Sequence, residues 1–550
     1  MTGERIFWPV TVFLLAAMLA AQASSMLRES QIYDEAVHLA AGYSYLTTGD
    51  YRLNPEHPPL SKLLAAAPLL LLKPHLPVED PSWSNGDTVY FGAIFLYFNR
   101  VPAETMLHAA RCVILFCALS FGLFLALWTR RRFGPGPAML ALFLYTFDPN
   151  MIAHGHYVTS DLLVACLMFV AVALWVEFLS SGRNLHLAGA GVALGLAAAT
   201  KFSGLILIPI FLILYVLRWK RDRQAGFSWR RLAISTSAVL GLGLAVIAVC
   251  YGPETMKIAH GGRSSYLLGL ETVIRHDRDG HPSYLLGQIR KEGWWYYFPV
   301  AFAVKTPTAV LLLLLLSVVI CVGQSWPRLP FIRPDPRAGG SGGKTAYPTG
   351  WYVLTVPIAA YFLLSMRGHI NIGLRHILPV YPFLFVFVAA ALFNAPWPKF
   401  RQALPVLLAA AVLIEVAESA AIYPHYLAFF NFPSGGPSHG ARYLLDSNID
   451  WGQDLKNLRR WLDEHGSPPV CVQYFGMGYP KLYGLPQNSL PATWEAEKRA
   501  RLDCIGAISV TLLHDVYLRP GEYAWLREMR PIGNVGYSIA LFDLRKPGLP

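Results

Sequence analysis

With 54% apolar residues, only 15% charged residues and a mean hydropathy of +0.39 over 550 positions, this chain is too oily for a soluble protein and reads as a polytopic membrane protein. The formal charge of +12 does not point to nucleic acid, because the basic residues cluster in short loops between apolar runs, as cytoplasmic loops do under the positive-inside rule. The seven cysteines have no metal-ligand spacing, which removes a cysteine-built metal centre.

About eleven apolar runs approach the 20 or so residues that cross a bilayer, near 7–27, 107–128, 136–153, 160–180, 186–201, 203–219, 231–251, 306–323, 351–366, 377–394 and 403–422. The first has no convincing cleavage pattern behind it and reads as a retained span. Immediately after it, "QIYDEA" sets Asp34 beside Glu35, and the same loop holds "NPEHPP" at 54–59, with Glu56 and His57. "TRRRFG" at 129–134 and "DPNMIAHGHYVTSD" at 148–161 follow, the latter carrying His154, His156 and Asp161. "TKFSG" separates the fifth run from the sixth, and "RWKRDRQ" at 218–224 and "SWRR" at 228–231 are basic. The loop 252–305 contains "RHDRDGHPS" and ends on Lys305 in "AVKTPT". Beyond "PRLPFIRPDPR" at 327–337 and a flexible "GGSGG" at 339–343 comes "RGHINIGLRHILPVYP", with Arg367, His369, Arg375 and His376.

Eleven alternating spans put all the strongly basic loops on one side, the cytoplasmic one, and send the loops 28–106 and 252–305 and the tail outward. The predicted division is a transmembrane part, 1–422, and a C-terminal outward domain, 423–550. Acids then recur at the outer ends of separate spans. For Asp34 and Glu35 the plain alternative is a solvated pair in a first helical turn, and for Asp161 a first-turn acid; an acid at the lip of an apolar span otherwise needs a partner, water or a task. Converging carboxylates suit a reaction in which a hydroxyl is deprotonated while an anionic phosphate departs, held by cations. Lys305, Arg375 and His376 supply the cations against the positive-inside trend, with headgroup snorkelling as the alternative.

In the tail, "DLKNLRRWLDEHG" has helical spacing, while "PVCVQYFG", "CIGAISVTLL" and "YSIALFDL" read as short buried strands, giving a small α/β unit. It has neither GxGxxG nor a Walker loop. Asp446, Asp450, Trp451, Gln453 and Asp454 form either a carbohydrate platform, with Trp451 stacking on a sugar, or an Asx-type turn that caps the helix. Cys471 and Cys504 are either a disulfide of an oxidising compartment or free thiols on adjacent strands.

An outward "DE" after the first span, "PEHPP", "TSD" at the fourth span, about eleven spans and an outer C-terminal domain resemble a GT-C glycosyltransferase. More narrowly, residues 1–425 resemble the phospholipid-carrier-dependent group of protein O-mannosyltransferases and lipid A aminoarabinose transferases. The resemblance implies transfer of a sugar from a polyprenyl-phosphate carrier to a protein, lipid or glycan acceptor outside the cytoplasmic membrane, with inversion. It implies Asp34 as base or acceptor-positioning carboxylate, Glu35 as its support and Asp161 as a second acceptor-side acid. Glu56 matches a glutamate near a metal in the aminoarabinose enzymes, but His57 replaces the expected lysine, so a divalent ion is left open. His154, His156, Lys305, Arg375 and His376 complete the expected substrate-binding set, and Asp450 with Trp451 the platform. Membrane lipids are partners in any case. A transporter or flippase of lipid-linked sugars predicts mid-span carboxylates and broken helices instead, and a sugar-sensing scaffold is a third reading.

Overall fold

The computed structural model describes residues 2–221, 228–252, 254, 262–323 and 350–545. The linker "GGSGG", the run "PRLPFIRPDPR" and the end of "RWKRDRQ" lie outside the described residues. The architecture is a polytopic helical bundle followed by a C-terminal α/β segment.

Each of the eleven apolar runs is helical, but they are not alike in length. Among the described residues six helices are long and apolar enough to cross a membrane unaided: Gly3–Arg28, Ala103–Phe133, Asp161–Ser181, Phe202–Arg221, Trp229–Tyr251 and Pro398–Ile422. Tyr297–Lys305 and Thr308–Gly323 together resemble a seventh, bent by 112° where Thr306 and Pro307 interrupt it; a proline ring cannot continue the helical ladder. Pro135–Phe147, Asn184–Thr200, Tyr352–Ser365 and Val380–Phe393 have at most 17 residues. At 1.5 Å per residue that is about 25 Å, short of the ~30 Å hydrocarbon core. The apolar runs in the sequence continue beyond the ends of these helices, which is why they read as full spans. The residues before Val380–Phe393, for example, form the tight turn Leu374–Ile377 in place of a further helical turn.

Asn184–Thr200 packs between Asp161–Ser181 and Trp229–Tyr251. A Cβ on Gly195 would lie 2.6 Å from the Gly243 carbonyl oxygen, so only glycine permits this approach. Between the first two long spans, the outer loop is itself structured. α1 (Thr2–Arg28) gives way to α2 (Glu35–Thr48), which ends at Gly49 in the left-handed region (φ 67°). α3 (Leu60–Ala66) follows and crosses α2 so closely that a Cβ on Gly42 would fall 2.2 Å from the Lys62 carbonyl.

Beyond Ile422 the chain threads back along the bundle in short turns as far as Asp454. Tyr426, Phe430, Ile449 and Trp451 are buried in the same apolar core as Tyr157 and Tyr381. The predicted helix is Leu455–Glu464, with Leu455, Leu458 and Leu462 buried on one face. It packs on a four-stranded sheet in the order β1 (Val470–Gln473), β2 (Ile505–Ser509), β4 (Ile539–Asp543), β3 (Gly533–Val535). β1 and β2 are parallel, with Cys471 opposite Gly506, and the other pairs are antiparallel. Cys471 and Cys504 are joined in a disulfide, which settles the alternative left by the sequence.

Candidate active site

The two adjacent acids after α1 have opposite surroundings. Glu35 is fully buried: its Oε2 and Oε1 accept from Arg111 Nη2 and Nε at 2.5 and 2.7 Å, and it also accepts from the Ile32 and Val158 amides at 3.0 and 3.1 Å. It thereby fastens the turn between α1 and α2 to the helix Ala103–Phe133. Asp34, one residue earlier, is held outward with 21% of its side chain exposed.

Asp161 opens its helix almost completely buried, between two cations. Lys201 Nζ donates to its Oδ1 at 2.5 Å and Arg375 Nη1 to its Oδ2 at 3.2 Å. The same Nη1 lies 3.3 Å from Asp34 Oδ2, so one guanidinium nitrogen bridges carboxylates from two separate elements. Arg375 Nε donates to Ser447 Oγ at 3.1 Å, and the guanidinium carbon sits 4.2 Å from the centre of the Trp451 ring. Arg375 Nη2 has no hydrogen bond to the described residues.

The arrangement separates the acids chemically. Asp161, locked between Lys201 and Arg375, is an anchor for two cations; Asp34, half-buried and with one longer ion pair, is the carboxylate that an incoming hydroxyl can meet. Desolvation, reinforced by Lys201 and Arg375, pushes His376 well below the usual imidazole range, so at neutral pH it is an uncharged hydrogen-bonding group and not a second cation. His57 is pushed down too, by desolvation and by His38, Lys62 and Lys201; its ring stands 5.2 Å from that of His38. His38 in turn is hydrogen-bonded to the Val158 carbonyl at 2.9 Å.

Several expected site residues do other work. Glu35 is turned onto Arg111 and two main-chain amides. Asp161, expected as an acceptor-side acid, is enclosed and paired with both Lys201 and Arg375. Lys305 is buried with its ammonium donating to the carbonyls of Leu427, at 2.9 Å, and Asn448, so it holds the tail against the bundle and is unavailable to a phosphate. His156 is wholly buried on Glu29, with Nε2 to Oε2 at 2.8 Å. His154 is buried beside Trp451, 6.0 Å between ring centres, beneath the guanidinium. Glu56 accepts from Asn54 Nδ2 at 2.6 Å. The residues expected as a carbohydrate platform are enclosed in this structure, Trp451 2% exposed and Asp450 fully buried. Asp450 accepts from the Thr511 amide at 3.2 Å, and Asp454 stands at the N-cap position of the helix but makes no side-chain capping bond there, accepting instead from Ser538 Oγ at 2.6 Å.

Lys201, Arg111 and Ser447 were missed. Lys201 carried a legible signal, since a lone lysine at the outward end of the fifth run breaks the positive-inside trend as "GLRH" does. Among the described residues no three His, Cys, Asp or Glu side chains gather as a metal site would require. Glu56 meets an asparagine and His57 a histidine, and this donor set does not fit a divalent ion.

What the fold and site define is a polytopic helical membrane protein in which a half-buried carboxylate, Asp34, shares one guanidinium with a buried carboxylate, Asp161, that a lysine also holds. Residues 93–250 match the dolichyl-phosphate-mannose-protein mannosyltransferase family, and the expected resemblance to GT-C enzymes of the O-mannosyltransferase kind is met over that stretch. None of the curated proteins matches the chain. Among solved structures, ArnT from Cupriavidus metallidurans bound to undecaprenyl phosphate is similar at 13% identity and a TM-score of 0.48, covering 98% of this chain and 99% of that one. AglB from Archaeoglobus fulgidus, an archaeal oligosaccharyltransferase, is similar at 12% identity and a TM-score of 0.45, covering 94% and 72%. The S. cerevisiae Pmt1-Pmt2 protein O-mannosyltransferase complex is similar at 18% identity and a TM-score of 0.34, covering 48% and 34%.

Proposed function

We propose that this protein is an integral membrane glycosyltransferase that moves a sugar from a polyprenyl-phosphate carrier to an acceptor at the outer face of the cytoplasmic membrane. Residues 1–422 carry the catalytic centre and residues 423–550 face the exterior or periplasm. The observation that carries the reading is the single guanidinium of Arg375 between Asp34 and Asp161, with Lys201 on the far side of Asp161. In the reaction, an acceptor hydroxyl attacks the anomeric carbon as the bond from that carbon to the phosphate oxygen breaks. Asp34 takes the hydroxyl proton, the electron pair leaves with the phosphate, and Arg375 and Lys201 hold the extra negative charge. Displacement in one step inverts the anomeric carbon. The match of residues 93–250 to the mannosyltransferase family supports the class of reaction. Undecaprenyl phosphate in the ArnT structure and dolichol phosphate in the AglB structure suggest the class of carrier.

The test is transfer from a labelled polyprenyl-phosphate sugar in detergent, followed with purified Asp34→Asn. Turnover should fall by about 100-fold to 10,000-fold while binding of the carrier persists. Near-full turnover removes Asp34 from the role of base. Transport of the intact lipid-linked sugar across vesicles with no transfer product would favour the flippase reading instead.

A further inference from the structure

We propose that Trp451 and Ser447, both from the C-terminal segment, are positioning residues that set the aim of Arg375. The guanidinium lies against the Trp451 ring, with its carbon 4.2 Å from the ring centre, while Ser447 Oγ accepts from Nε at 3.1 Å. These two contacts fix the plane and the rotation of the fork, which leaves Nη1 to the carboxylates and Nη2 with no hydrogen bond to the described residues. Neither contact can drift. Ser447 Oγ itself donates to the Ile372 carbonyl at 2.7 Å, and Asn448 Oδ1 accepts from the Leu374 amide at 3.0 Å, so the chain leading into Arg375 is tied to the tail at two points. The Trp451 ring is walled by His154 and Tyr157, each 6.0 Å away between ring centres. Its backbone carbonyl accepts from the Tyr33 amide at 2.8 Å, one residue before Asp34. One residue of the tail therefore registers both halves of the ion pair: its ring holds the cation and its carbonyl holds the turn that carries the acid. A flat guanidinium loses less freedom on binding when its plane is already fixed. The buried ring, expected as part of a sugar platform, has this use instead.

The inference rests on the reading of Arg375 as the cation that binds the carrier phosphate, so the experiment separates the two. Binding of a polyprenyl phosphate without sugar is measured on the full-length protein in detergent, beside its melting temperature. Trp451→Leu should weaken binding by about ten-fold, and Trp451→Phe, which keeps an aromatic face, should restore most of it. Ser447→Ala, a smaller change at a site that folds without the ring being touched, should weaken it several-fold. In an Arg375→Lys background, where the planar fork is gone, both losses should shrink to less than half. Losses of equal size in the two backgrounds, or Phe no better than Leu, overturn the proposal. A parent protein with no affinity for the polyprenyl phosphate overturns the reading of Arg375 itself, and the proposal with it.

Discussion

Two lysines on the outer side look alike in the sequence and differ in what surrounds them. Lys201 has one carboxylate partner and 20% of its side chain exposed, so its charge can be shared with a ligand. Lys305 is enclosed and its protons are directed at main-chain carbonyls. Lys201→Met is expected to weaken polyprenyl-phosphate binding by on the order of 1.5–3 kcal/mol, the worth of a hydrogen bond to a charged group, with modest change in melting temperature. Lys305→Met is expected to do the reverse, lowering the melting temperature because two buried carbonyls lose their donor. Paired binding and melting curves decide it, and equal effects on binding would remove the distinction. The same contrast separates Asp34 from Glu35. Adjacency in sequence put them together, but only a buried arginine 76 residues away decides which of them is withheld from the site.

At the level of elements, the segment from Asp446 to Asp454 is where the sequence was read as a surface and the structure buries it. Asp450 is the sharpest instance. Burial pushes its carboxyl up to about 8, against hydrogen bonding from Thr511 that would lower it. The folded protein therefore holds a proton there between about pH 4 and pH 8 that the unfolded chain releases near its ordinary pKa of about 3.9. That contribution to stability is complete below pH 4 and is lost as pH rises through the folded value. Asp450→Asn has no such proton to lose, so the stability of the parent relative to this variant should decline by on the order of a few kcal/mol from pH 5 to pH 8. Unfolding of both proteins in detergent across that range measures it, and parallel profiles would refute it. The disulfide between Cys471 and Cys504 secures the strand beyond this segment to its neighbour, and so steadies the sheet on which Leu455–Glu464 rests.

For the whole molecule, every proposed role depends on which side of the membrane the outer loop and the tail occupy. Arg130, Arg131 and Arg132 close the helix Ala103–Phe133, and Arg183 lies exposed between Asp161–Ser181 and Asn184–Thr200, on what the charge distribution makes the cytoplasmic side. Asp34, Asp161, Lys201 and Arg375 gather at the opposite ends of the helices. A membrane-impermeant thiol reagent applied to intact cells should label Gln487→Cys in the tail and spare Arg183→Cys, with the protein lacking either substitution as the control. The opposite pattern would put the whole acid and cation cluster in the cytosol and end the proposal of transfer at the outer face.

The sequence by itself determined the membrane setting, the helical runs, the tail's helix and strands, and the identity of Asp34, Asp161 and Arg375 as groups that demand an explanation. Each of these is local: hydrophobic length and periodicity are written in consecutive residues, and a charge at the lip of an apolar run stands out without its partner. Only the tertiary structure decided the pairing. Arg111 claimed Glu35, Glu29 claimed His156, the carbonyls of the tail claimed Lys305, and Trp451 went beneath Arg375 instead of out to solvent. Ion pairs and burial join residues tens to hundreds of positions apart, and the cost of leaving a buried charge unpartnered selects one pairing from the many that composition allows.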